Sequence, residues 1–128
     1  MISTAWYDDE QTIIVHQHPA VWGVEEFQKA RATSLAMIAT VNHRVDLILL
    51  HPGMKISTEM LYYARESLSL YPPDTGFVVV DDFQIAALFV RTFRRLHPEV
   101  YHRVDYVRSM DEAVSAIGRM RSGKHLPG

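Results

Sequence analysis

Gly76-Phe77-Val78-Val79-Val80-Asp81-Asp82 decides the fold. Four consecutive apolar residues, three of them β-branched, suit a strand covered on both faces, and the aspartates behind them offer an N-cap to a helix. Val45-Asp46-Leu47-Ile48-Leu49-Leu50 has the same character, interrupted only by Asp46. Continuous apolar strands separated by helical stretches are the pattern of a parallel sheet packed under helices. Downstream, the spacing of Phe83, Ala86, Phe89, Val90, Phe93 and Leu96 predicts a helix over 83–96, ending before Pro98. Arg103 to Val107 reads as a last strand. Ser109 then offers a capping box with Glu112 to a final helix ending near Gly118.

Upstream, Ser57 or Thr58 is the expected N-cap of a helix running to about Leu70, and Pro72-Pro73-Asp74 breaks the chain after it. Phe27, Ala30, Leu35, Ile38 and Val41 fall mainly three or four apart, which predicts a helix over 24–41 with Glu25 and Glu26 in its first turn. Thr12 to His16 and Ser3 to Tyr7 are β-prone and joined by the polar turn Asp8-Asp9-Glu10-Gln11, an antiparallel hairpin. The order is β-β-α-β-α-β-α-β-α. The fold class is therefore α/β, a mixed sheet of about five strands with about four helices, the first strand antiparallel and the rest parallel through right-handed crossovers. One domain is expected over 1–118, with a flexible tail over 119–128.

Composition narrows the function. A chain of 128 residues that is 48% hydrophobic and 22% charged has an ordinary globular balance. The net charge of −2 implies no global attraction to nucleic acid or to an anionic membrane. From Arg91 onward, however, eight Lys/Arg stand against four Asp/Glu, leaving five and eleven in the first ninety residues. The absence of cysteine rules out disulfides, thiolate metal sites and cysteine nucleophiles. Met1 to Glu10 lacks the basic start of a signal peptide, and no apolar run approaches the roughly 18 residues of a membrane span. The expected compartment is the cytoplasm.

Trp22 with Glu25-Glu26-Phe27 opening a helix, the run from Val45 to Leu50, Tyr71-Pro72, Gly76 to Val80, and Val107 leading into Asp111-Glu112-Ala113 resemble the SpoIIAA-like, or STAS, anti-anti-sigma-factor-type domains of bacteria. The resemblance spans nearly the whole chain and implies a non-enzymatic regulatory or protein-interaction domain. In partner-switching members an Asp-Ser-[Ser/Thr]-Gly loop after the third strand carries a phosphorylated serine. Here the stretch reads His51-Pro52-Gly53-Met54-Lys55-Ile56-Ser57-Thr58. The resemblance thus implies the fold without the switch, and Ser57 and Thr58 are expected to be helix caps and not phosphorylation sites.

Catalytic motifs are lacking: no Gly-x-Ser-x-Gly elbow and no glycine-rich phosphate loop. The expectation is that the chain is not an enzyme and needs no cofactor. Two alternatives stay open. One is a small-molecule or lipid-binding domain. The other is a metal-dependent enzyme using His16, His18, His51 and Asp81, since residues at the carboxyl ends of parallel strands converge on one edge and imidazole and carboxylate suit divalent metals. An interface with an unknown protein partner, or with a second copy in a homodimer, is expected at Tyr62, Tyr63, Ile85, Leu88, Arg91 and Arg95. The helices over 58–70 and 83–96 carry more apolar surface than one sheet-facing stripe requires.

Overall fold

The computed structural model describes residues 1–50, 58–81 and 85–123, with side chains at all of these except 58–61, 64, 85–87, 89 and 100. Strands β1 (Ser3–Trp6), β2 (Ile13–Gln17), β3 (Asp46–Leu50), β4 (Phe77–Val80) and β5 (Val104–Val107) form one sheet in sequence order. β1 is antiparallel to β2, and the other pairings are parallel. Helices α1 (Val24–Ile38), α2 (Thr58–Leu70) and α3 (Ile85–Leu96) are the crossovers, and α5 (Met110–Ser122) closes the chain. This is the expected fold class and order. One element is added: α4 (Pro98–Tyr101), a single turn started by a proline whose missing N–H costs nothing at a helix N-terminus.

Strand periodicity sorts the core into two layers. Ile14, Leu47, Phe77, Val79 and Val104 face α1–α4, packing with Leu35, Leu68, Tyr71, Val90 and Tyr101. Ile13, Ile48, Val78 and Val80 face α5, meeting Ala113, Ala116 and Ile117. All three crossovers move across the sheet in one direction, so one handedness puts them on one face. The other face is left to the last helix.

Two expected boundaries move. α1 stops at Ile38, where the N–H groups of Ala39, Thr40 and Val41 turn back onto Leu35, Met37 and Ile38. α5 runs past Gly118 to Ser122, so residues 119–122, expected in the tail, are helical. The stop is Gly123, at φ 73°, a left-handed conformation that glycine adopts without penalty. At the other end Ser109 caps the helix, its Oγ accepting from the Glu112 N–H at 3.2 Å, while the Glu112 carboxylate accepts from the Arg108 N–H at 2.9 Å.

α5 is pinned by a buried carboxylate. Asp46, fully buried at the amino end of β3, accepts from the Gly76 N–H at 2.7 Å, from Arg44 Nε at 3.0 and 3.2 Å, and from Arg121 Nε at 2.7 Å. Arg121 also donates to the Thr12 carbonyl at 2.7 Å, tying the last turn of α5 to the hairpin. Gly76 leaves room here: a Cβ would stand 2.7 Å from Met120 Sδ and 3.1 Å from Asp46 Oδ1, so both side chains would have to shift.

Candidate functional site

In open α/β sheets, ligands settle beyond the carboxyl ends of the strands. At that end β2 delivers His16, followed by His18, and β4 is followed by Asp81. Alternation along β2 puts both imidazoles on the α1–α4 side of the sheet. Both are buried, His16 at 4% exposure and His18 at 8%. The His18 N–H extends the ladder by donating to the Leu50 carbonyl at 3.1 Å. The ring of His18 meets Trp22 edge-on, centroids 4.7 Å apart, and Trp22 stacks on Phe27 at 6.2 Å, an aromatic run that carries the chain into α1.

The two imidazoles are chemically unusual. Neither His16 Nε2 nor His18 Nδ1 has a hydrogen-bond partner among the described residues. Burial first, and the neighbouring His18 second, push the His16 pKa down to about 4. Burial likewise holds His18 at about 4; the Leu50 and His16 carbonyls offset part of this, but nothing meets Nδ1 in hydrogen-bond geometry. Both rings are therefore neutral at pH 7, a state in which each ring offers one donor and one acceptor nitrogen. Asp81 is buried too. Among the described residues, however, no three His, Cys, Asp or Glu side chains come together to hold a metal ion. His51 lies outside the described residues, as does Ser57; Thr58 is the first residue of α2, but its side chain is not among those described.

The expected interface residues fall into two groups. On α3, Leu88 is 63% exposed and Leu96 62%, and Arg91 and Arg95 are exposed between them. The spacing 88, 91, 92, 95, 96 is one helix face. Arg91 leans on the strand beside it, its guanidinium donating to the Tyr106 hydroxyl at 2.8 Å and lying over that ring at 5.8 Å. Arg94 points the other way, to the Val104 carbonyl and, at 3.8 Å, to Asp105. The side chain of Ile85 is outside those described.

On α2, Tyr62 is exposed and Tyr63 half-buried, their rings edge-on at 5.5 Å. Tyr62 does not join the α3 face. It belongs to a cleft of about 630 Å³ formed by the second half of α2, the Tyr71–Pro73 turn and the segment from α4 to β5. Arg65, His102 and Arg103 line this cleft; in the sequence only Arg103 stands out, as one of several arginines that could line an interface or bind an anion, and Arg65 and His102 do not. No local motif could reveal them, because α4 brings 102–103 beside a helix some forty residues earlier.

Fold and surface together define a five-stranded mixed α/β domain with an apolar, basic outer helix face, a buried histidine pair at one end of the sheet and a cleft at the other. No family model matches the chain, and neither a curated protein nor a solved structure matches it. No helix among the described residues is long and apolar enough to cross a membrane.

Proposed function

We propose that the chain is a non-enzymatic regulatory or protein-interaction domain of the SpoIIAA/STAS type, docking its partner on the outward face of α3. The observation that carries this reading is the exposure of Leu88 and Leu96, two turns apart on a face otherwise made of Arg91, Thr92 and Arg95. Leucine in water beside guanidinium groups is the composition of an unoccupied interface: apolar area supplies affinity, and the charges select an acidic partner. The sheet order, with three crossover helices on one face, accords with the resemblance. The loop that would carry a switch serine in that family lacks the Asp-Ser pair, so recognition by this domain is governed by the partner's availability and not by phosphorylation here.

The test is affinity capture from the native cytosol with the wild-type chain and with Leu88→Asp, alongside sedimentation equilibrium of both. A partner, or a second copy, held by the wild type is expected to be lost from Leu88→Asp, with the urea midpoint unchanged. Retention of the same partner by Leu88→Asp would remove α3 from the interface and the reading with it.

A further inference from the structure

The cleft between α2 and α4 lies at the amino ends of β4 and β5, away from the sheet end where α/β ligands usually sit. Its volume, about 630 Å³, falls within the range of roughly 300–1,000 Å³ that holds small organic ligands. The floor is apolar: Leu68 and Tyr71 are core residues, and the exposed Tyr62 ring stands at the wall. The Tyr71 hydroxyl is engaged behind the floor with the Ser34 hydroxyl at 2.5 Å, so the cleft meets the ring and not the polar tip.

The charges around it are not equivalent. Glu66 is turned to Arg31 of α1 at 3.9 Å, and Glu99, exposed on the α4 rim, lies 3.8 Å from His97, an ion pair when that imidazole is protonated. Arg103 is built into the wall, donating to the Pro72 carbonyl at 2.5 Å and lying over the Phe77 ring at 5.3 Å. Arg65 is different. It is exposed, it lines the cleft, and no carboxylate among the described residues pairs with it. Beside it His102 offers a second, exposed nitrogen donor. An apolar floor with an aromatic wall and one uncommitted guanidinium is complementary to a molecule with an apolar body and one anionic end.

We propose that this cleft binds a small amphipathic carboxylate, its apolar body against Tyr62, Leu68 and Tyr71 and its carboxylate on Arg65. The site is independent of the α3 face: the two share no residue.

The probe is 4-phenylbutyrate, with the neutral 4-phenyl-1-butanol as its uncharged counterpart, each titrated into the full ¹⁵N-labelled chain and followed by amide shifts. Saturable shifts are expected at Arg65, Ser69, His102 and Arg103, with the acid binding about fivefold tighter than the alcohol. Arg65→Gln, at an exposed position, should erase that preference and leave the alcohol unchanged. Tyr62→Ala should weaken both alike. No saturable shift at millimolar probe, shifts centred elsewhere, or equal binding of acid and alcohol by the wild type would each overturn the proposal. So would an acid preference that survives in Arg65→Gln.

Discussion

Asp46 at the amino end of β3 and His16 at the carboxyl end of β2 are both buried polar side chains of one sheet, and they are treated in opposite ways. Asp46 is saturated: a backbone N–H and two arginines satisfy its oxygens. His16, and His18 after it, each keep a ring nitrogen inside the protein with no hydrogen-bond partner among the described residues. Leaving a buried donor or acceptor unmade costs on the order of 1–3 kcal/mol, whereas a carboxylate held by several donors fixes the groups around it. Around Asp46 the amino end is thus organised for stability, tying β3, β4, the hairpin and α5 together, and Thr75 Oγ1 is the one buried side-chain oxygen beside it that has no partner among the described residues. The carboxyl end carries an uncompensated polar cost at the place where ligands of this architecture gather.

The largest effect should come from breaking the saturated end. Asp46→Ala removes the acceptor of the Gly76 N–H and leaves Arg44 and Arg121 without their shared carboxylate. Both arginines are about a third exposed and can rehydrate, so the loss belongs at the lower end of the range for broken buried pairs, about 3 kcal/mol. Urea denaturation measures it. A loss under about 1 kcal/mol would mean that α5 docks by its apolar face alone, through Ala113, Ala116 and Ile117.

Acid should act on the other end. The folded histidines hold their pKa values at about 4, below the ordinary 6.5. Between those values the unfolded chain binds protons that the native chain refuses, so stability is complete above pH 6.5, falls as pH drops through the window, and levels off near 4. Each histidine contributes at most about 1.4 kcal/mol per pH unit, so going from pH 6.5 to 5.5 should cost about 2 kcal/mol for the pair. The His16→Leu/His18→Leu double variant isolates the effect from the carboxylates. Equal acid loss in variant and wild type would show that the imidazoles take up protons freely in the folded state.

These opposed ends were unequally legible in the sequence. The runs Val45–Leu50 and Gly76–Val80 and the breakers at Pro72-Pro73 and Pro98 mark the strands and helices well, because periodicity and proline act locally. The end of α5 was misplaced since Gly118 resembles a stop, yet it sits in the helix with open space around it. What carries α5 onward is Arg121 reaching Asp46, a contact across seventy-five positions that no local pattern contains. His16 and His18 could be placed at a strand end from sequence, but the covering of His18 by Trp22, itself stacked on Phe27 of α1, is a tertiary contact. The exposure of Leu88 followed from an apolar residue lying off the helix stripe. The cleft was invisible, because its cations come from two distant segments.

The smallest effect is the sharpest test of the comparison. His16 is in register with Leu49 on one side and Thr4 on the other and follows Ile14 on the same face, so most of its neighbours on the sheet are apolar. Leucine has a similar volume and no unsatisfied nitrogen. His16→Leu should therefore stabilise the protein by about 1 kcal/mol at pH 7, the reverse in sign of a polar-to-apolar change at Asp46. Urea midpoints of the two variants, measured side by side, give the answer. If His16→Leu instead destabilises, Nε2 has found a partner in solution, and the carboxyl end is as well satisfied as the amino end. If it stabilises, the histidine is held against the interest of folding. A side chain kept at that cost, beside a second like it and at the ligand-binding edge of the sheet, is where a contact other than folding contacts should be sought.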